Sequence, residues 1–408
     1  MISRPRVLAA LPGFFPSTVI NVAKPLLRLV EDEAIDLDLT AHFAVKRRQI
    51  ERADVLVMSH TIDPAHAWIL DCARQSGTPL VYDIDENLLE PPDDVPGLDF
   101  HRAPGRRAAV RQALAQAAVV RTYAPALQRY LRAYNANVVR TEGPIDWRLV
   151  PAEAPVRRSA RVRIVYATSR QQQDSIGAMV VEPLRAVLDA HPYADVTIWG
   201  PRFAALEQHP RVEHREFVRD YDRYFAQFAR EGFDIGLAPM PDDPFYQSKT
   251  ATKFREYAAC RIAGIYADVE IYRDCVADGE IGLLVRGGQP AWISAIDHLV
   301  RDAPLRARIQ TAAERSARER YSTERISRDW LSHIEAAAAS RHAAASATDQ
   351  HRHDLRTSRI ARIGDYSRRA MSLMRSGGVS AVLSRVRAEL ADRRQLAEWR
   401  RRSAKPLG

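Results

Sequence analysis

The sequence predicts an α/β protein made of two doubly wound parallel domains facing each other across a cleft, with a helical, basic C-terminal tail. Three observations carry this expectation. Short, continuous apolar runs alternate with helical stretches along most of the chain, the pattern of parallel strands covered on both faces. Two segments, "RPRVLAALPGFF" (4–15) and "RVRIVYATSRQQ" (161–172), each pass from basic residues through a short apolar strand into a polar or glycine-containing loop, and each restarts the alternation. The 408 residues are enough for two ordinary cores, and one sheet of ten or so strands is less expected than two smaller ones. A Pro-, Ala- and charge-rich stretch, "VPAEAPVRRSA" (150–160), reads as the join. The expected division is 1–155, 156–325, a crossover helix over 326–340, and a tail over 341–408.

In the first half, strands are expected in 4–15, "DVLVMS" (54–59), "PLVYDI" (79–84), "AVVRT" (118–122) and "NVVRT" (137–141), with helices such as "PAHAWILDCARQSG" (64–77) between them. In the second half they fall in 161–172, "DVTIWG" (195–200), "FDIGLAP" (233–239), "AGIYAD" (263–268) and "GLLV" (282–285). Residues 291–339 read as continuous helical material, with Pro304 marking a helix start.

The hydrophobic fraction of 46% and charged fraction of 27% are those of a globular protein. The three cysteines, Cys72, Cys260 and Cys275, include no CxxC pair, which argues against a disulfide scaffold or a zinc site and fits a reducing compartment. No apolar run approaches the ~18–20 residues that span a bilayer. The opening "MISRPRVLAALPGFFP" imitates a signal peptide but breaks at Pro12-Gly13, so it reads as a first strand, and a cytoplasmic location is expected. The net charge of +9 is unevenly placed: from Arg341 to Gly408, 15 arginines and one lysine face six acids, leaving the other 340 residues near neutral. A nucleic-acid reader would carry its basic surface on the folded module, so no nucleic-acid partner is expected. Within the tail, 358–401 shows two amphipathic helical patterns split by Gly377-Gly378. It reads as a solvated extension, as a segment lying peripherally on an anionic membrane, or as a dock for a partner subunit.

In open α/β domains ligands sit beyond the carboxyl ends of the strands, so the loops there are the candidate sites. The most informative is "DIGLAPMPDDPFYQSKTATKFREYAAC" (234–260): a strand, a polar loop, then a helix opening near Thr250–Thr252. A helix N-terminus favours anions. Lys249 and Lys253 would add point charges for a diphosphate, and Glu256 could accept hydrogen bonds from two adjacent hydroxyls, as on a ribose. The alternative is that Lys253 and Glu256 form an ordinary surface i,i+3 pair. Gly13, in "PGFFPST" (12–18), would allow close backbone approach to a ligand or simply make a tight turn. His60, ending "DVLVMSH", either faces the cleft or is structural. Asp83 and Asp85 in "DID" either clamp a metal on a diphosphate or line the cleft on the acceptor side. His66, His351 and His353 are too scattered for a metal site.

The segment "KFREYAACRIAGIYADVEIYRDCVADGEIGLLVRGGQPAWISAIDHLVRDAPLRARI" (253–309) resembles the donor-binding region of the GT-B glycosyltransferases, in particular the family 4-like (group 1) type, and the likeness extends back through 233–254 and 161–174. "GTPLVYDIDENLLEPP" (77–92) resembles the Asp-rich segment of the same group. The resemblance implies a GT-B fold of two Rossmann-like domains, the last helix crossing back to the first. It implies transfer of a sugar from a nucleotide-diphosphate donor to a glycan or lipid-linked acceptor with retention, and with neither metal nor cofactor. It places Glu256 on the ribose, Lys249, Lys253, Ser248 and Thr252 on the diphosphate, Arg170 as a second cation, and Val218 beside the base. His60 and Lys253 would stand nearest the chemistry. Ser248 occupies the position of the first glutamate of the family's Glu-x7-Glu motif, the one that helps hold the donor hexose, so this chain departs there. Competing readings are a nucleotide-sugar epimerase on the same scaffold and a non-catalytic sugar-nucleotide-binding subunit whose tail docks a partner glycosyltransferase.

Overall fold

The computed structural model describes residues 4–93, 98–153, 160–169 and 174–347, together with Arg394 and Ala397. Arg170 and nearly all of the tail lie outside the described residues, including the amphipathic patterns of 358–401. Two six-stranded sheets organise the described residues. The first contains β1 (Arg6–Leu11), β2 (Asp36–Ala41), β3 (Val55–Ser59), β4 (Leu80–Asp83), β5 (Ala117–Thr122) and β6 (Val138–Arg140), in the order β2-β1-β3-β4-β5-β6. The second contains β7 (Val162–Ala167), β8 (Ala194–Trp199), β9 (Val212–Arg215), β10 (Ile235–Ala238), β11 (Ala263–Ala267) and β12 (Leu283–Val285), in the order β12-β11-β10-β7-β8-β9. All the pairings are parallel. The strand order reverses beside β1 in one sheet and beside β7 in the other, and loops diverging at such switch points leave a crevice at the carboxyl ends.

Ten of the twelve strands fall where the apolar runs predict them. The other two, β2 and β9, are edge strands. β2 reads Asp-Leu-Asp-Leu with its aspartates exposed, and β9 (Val-Glu-His-Arg) has no fully buried residue. An edge strand has one flank in solvent, so its sequence need not be a continuous apolar run.

The first domain is closed by the helix Thr323–Ala347, which leaves the second domain and packs on the first sheet. Ile326, Trp330, Ile334 and Ala337 are fully buried against Val7, Ala9, Leu26 and Val57. One local rule explains part of its docking. Pro25 lies inside the helical run that starts at Pro16, and it has no N–H to give the carbonyl four residues earlier, that of Asn21. That carbonyl accepts instead from Trp330 Nε1 at 2.9 Å. The same run takes one π-helical stretch, Val19–Ala23, beside the crevice.

Ion pairs bridge the two domains at several points. Lys24, buried and paired with Asp146 of its own domain at 2.7 Å, also reaches Asp222 of the second at 2.8 Å; Arg129 reaches Glu270 at 2.6 Å, and Arg140 reaches Asp274 at 2.6 Å. No helix among the described residues is long and apolar enough to cross a membrane. The three cysteines are buried free thiols.

Candidate active site

The carboxyl ends of the two sheets enclose a cavity of about 630 Å³ between the domains. Its carboxy-terminal wall is built on the segment Pro244–Ala259. A short helix, Pro244–Gln247, is capped by Asp243 and ends at Ser248; the helix Thr252–Ala259 then begins at Ala251, with no side chain capping it. Lys249 thus lies in the turn between two helices, just ahead of the one that carries Lys253 and Glu256. Uncapped N-terminal amides and the hydroxyls of Thr250 and Thr252 meet the cavity at this point.

Lys253 and Glu256 are not a surface pair. Glu256 is 3% exposed, and its Oε2 accepts from Lys253 Nζ at 2.6 Å, with the Tyr224 hydroxyl 3.5 Å away. Tyr221 and Tyr224 hold their protons well above the ordinary phenol range, first because they are buried and then because of the Glu256 charge. They are therefore neutral hydroxyls beside a carboxylate. Arg255 donates to the Thr250 and Thr252 hydroxyls, each at 3.0 Å. It passes so close to Gly143 that any side chain there would collide with its guanidinium: a Cβ would come within 1.5 Å of Nη1. Trp199, Phe217, Val218, Tyr221 and Tyr224 form an aromatic and apolar end of the cavity.

The amino-terminal wall begins at His60, which follows β3 in the left-handed region (φ 58°). This is a conformation that costs a non-glycine residue about 1–3 kcal/mol and that clusters at functional sites. Its backbone is held there by Asp83 O, which accepts from His60 N at 2.8 Å, and by the Tyr82 hydroxyl, which donates to His60 O. His60 Nε2 lies 3.1 Å from Glu86 Oε1 and 4.0 Å from Asp85. Burial pulls the imidazole down, but the Glu86 hydrogen bond and the Asp85 and Glu86 charges outweigh it and raise it above its ordinary value. Glu86 also pairs with Lys249 across the cavity. Burial would raise that carboxyl, yet Lys249 and His60 together hold it well below the usual carboxylate range. His101, whose ring centroid lies 5.6 Å from that of His60, is pushed down to about 4 by burial and by the neighbouring His60 charge.

Of the residues named from the sequence, His60, Val218, Lys249, Thr252, Lys253 and Glu256 line this one cavity. Ser248 and Gly13 do not. Ser248 is 2% exposed, and both sides of its hydroxyl are engaged: it accepts from Asn87 N at 2.9 Å and donates to Phe245 O at 2.6 Å. The position thus anchors the loop after β4 to the second domain instead of facing a ligand. Gly13 is buried behind Pro12, where its carbonyl accepts from the Thr18 hydroxyl at 2.7 Å. Arg170 lies outside the described residues.

The "DID" pair separates. Asp83 is 3% exposed and accepts from the Tyr123 hydroxyl at 2.7 Å, with Arg121 Nε 3.5 Å away, whereas Asp85 faces the cavity. The two carboxylates are not disposed to share a metal. Among the described residues there is no group of three or more His, Cys, Asp or Glu that could hold a metal ion. Glu86, Arg255 and His101 were not singled out in the sequence. Glu86 follows Asp85 directly at a strand's carboxyl end, a usable signal, but nothing local indicates that it crosses to Lys249.

No protein-family model and no curated protein sequence matches the chain. Solved structures do. HepE of Anabaena, in complex with UDP and glucose, is 14% identical over 81% of this chain and 100% of that one, with a TM-score of 0.59. Sucrose-phosphate synthase from Thermosynechococcus elongatus is 12% identical over 83% of this chain and 100% of that one, with a TM-score of 0.61. A UDP-N-acetylglucosamine 2-epimerase homologue from Listeria monocytogenes is 11% identical over 87% and 100%, with a TM-score of 0.54.

The fold is GT-B. In GT-B terms, the wall built on 244–259 belongs to the second domain and the wall built on His60, Asp85 and Glu86 to the first, so the cavity is the interdomain cleft.

Proposed function

We propose that this GT-B chain is a glycosyltransferase that moves a sugar from a nucleotide diphosphate to a hydroxyl acceptor, retaining the anomeric configuration and using no metal or cofactor. The observation that carries the proposal is the buried Lys253–Glu256 pair at an uncapped helix N-terminus inside the interdomain cleft. A buried carboxylate flanked by neutral hydroxyls suits the vicinal hydroxyls of a ribose. Lys253, Lys249 and the helix amides suit a diphosphate, and the end formed by Trp199, Val218 and Tyr221 suits a base. Uracil is the base we infer, because HepE was solved with UDP and glucose.

In the reaction the bond from C1 of the sugar to the β-phosphate oxygen breaks as the bond from C1 to the acceptor oxygen forms. The acceptor proton passes to the leaving phosphate. Negative charge therefore grows on that phosphate in the transition state, and fixed cations in a closed cleft stabilise it without reorganisation. Lys249 is shared with Glu86 before donor binds, so the arriving phosphate competes with that carboxylate for it. The tail's net charge of +10 supports peripheral docking on an anionic membrane carrying the acceptor. Removing 341–408 should lower partition onto anionic vesicles while leaving UDP affinity unchanged; equal partition of the full and shortened chains would exclude that role.

Calorimetric titration tests the donor site. Glu256→Ala should weaken UDP binding by roughly 1–3 kcal/mol, the scale of lost charged hydrogen bonds. An affinity equal to that of the unaltered chain would overturn the ribose assignment. The Listeria neighbour makes epimerisation the second reading. Incubation with a UDP-sugar and no acceptor separates the two, since an epimer forms only if that reading holds, whereas a transferase gives at most slow hydrolysis.

A further inference from the structure

The two walls of the cleft differ in charge. Lys249, Lys253 and Arg255 all come from the second domain, whereas the described lining residues of the first domain include Asp85 and Glu86 and no lysine or arginine.

At the edge of this wall stands Phe100, 47% exposed. The Arg106 guanidinium covers one face of its ring, 3.4 Å from the centroid, and Arg106 is itself tied to Asp63 at 2.8 Å. The His101 ring meets Phe100 edge-on, with centroids 4.8 Å apart and an interplanar angle of 85°. The ring is thus braced on one side and open on the other. A rigid, solvent-facing aromatic beside carboxylates and imidazoles suits a pyranose: its C–H face stacks on the ring, and its hydroxyls donate to carboxylate oxygens. Glu86 is already paired with Lys249 and His60, but a phosphate or uronate would meet the Asp85 carboxylate, which faces the cavity, with like charge.

We propose that the reacting end of the acceptor is an uncharged sugar ring stacked on Phe100, its hydroxyls held by Asp85 and His101, and that Asp85 excludes anionic acceptors. This rests on the transferase reading of the same cleft and names its second substrate by class. Recognition is of the terminal ring, whether the remainder is a free glycan or a lipid carrier.

Saturation-transfer NMR on the full chain, with UDP saturating, tests it. The neutral probes are methyl glycosides of glucose, galactose, mannose and N-acetylglucosamine. Methyl glucuronoside and glycerol 3-phosphate are the anionic probes, and octyl glucoside is compared with methyl glucoside. At least one neutral glycoside should bind, the anions should not, and Phe100→Ala should weaken the neutral ligand about tenfold. Asp85→Asn should admit the glucuronoside. Phe100 is exposed, so its replacement should not unfold the protein, and UDP affinity reports on the fold of each variant. If no neutral probe binds, if the anions bind as well, if octyl glucoside alone binds, or if Phe100→Ala changes nothing, the proposal is overturned. Where UDP still binds in those cases, the donor-site reading survives; loss of UDP binding by the unaltered chain overturns that reading itself.

Discussion

Lys253→Ala should lower the rate of sugar transfer about 10²–10³-fold at saturating donor, the cost of removing one preorganised donor from a developing oxyanion. The rationale is positional. Lys253 is on the first turn of the helix Thr252–Ala259, beside uncapped amides, and its Nζ sits 2.6 Å from the buried Glu256 carboxylate. Removing the ammonium also strands that carboxylate, so the single variant should lose stability as well as turnover. Lys253→Met combined with Glu256→Gln resolves the two effects, because it removes both charges and should melt near the unaltered chain while remaining slow. Single-turnover measurement with a UDP-sugar, alongside thermal melts, provides the check. Transfer at the ordinary rate by the double variant would remove Lys253 from the chemistry. Recovery of rate by Lys253→Arg would assign its role to charge rather than shape.

The largest stability effect is expected far from any ligand. Arg121→Met should destabilise the folded chain by about 3–5 kcal/mol at pH 8, the range for stripping one partner from a buried ion pair. Arg121 is 0% exposed, lies over the Trp330 ring at 3.8 Å from its centroid, bonds Thr141 at 3.3 Å and His333 on the crossover helix, and reaches Asp83 at 3.5 Å. It therefore connects the strand bearing Asp83 to the helix that closes the first domain. Burial raises the Asp83 carboxyl from its ordinary 3.8 to about 7; the Arg121 charge and the Tyr123 hydrogen bond oppose that rise without cancelling it. A carboxyl that keeps its proton more tightly when folded contributes stability fully below pH ~3.8, and that contribution disappears as pH rises through about 7. Asp83→Asn should accordingly flatten the fall in stability between pH 4 and 7, and urea unfolding across that interval measures it. An unchanged slope would mean that Asp83 does not titrate there.

The same residue shows where local reading fails. In "DID" the two aspartates look equivalent, two residues apart after an apolar strand. Side chains two apart on a strand share a face, but β4 ends at Asp83, so Asp85 belongs to the loop and obeys no such alternation. Asp83 turns to Tyr123 and Arg121, and Asp85 turns to the cleft. Ser248 is a comparable case. Its place in the motif points to the donor, whereas its hydroxyl is consumed by Asn87 N and Phe245 O, a contact between residues 161 positions apart that no local pattern announces.

What the chain's own letters determined are the properties with short range. Continuous apolar runs specify strands, and ten of them emerged as such; the restart at 161–172 specifies the second sheet; and the Thr-Lys-x-x-Glu spacing of Thr252, Lys253 and Glu256 specifies a cation and an acid on one face of a helix. Only the tertiary structure decided the charge and burial of those groups. Glu256 becomes an interior carboxylate, Glu86 crosses to Lys249, and Phe100 takes its place on Arg106 because two separately wound sheets bring distant loops to a common cleft. Hydrophobic periodicity is summed over neighbours in sequence and survives reading residue by residue. Electrostatic environment is summed over neighbours in space, and those exist only once the domains have met.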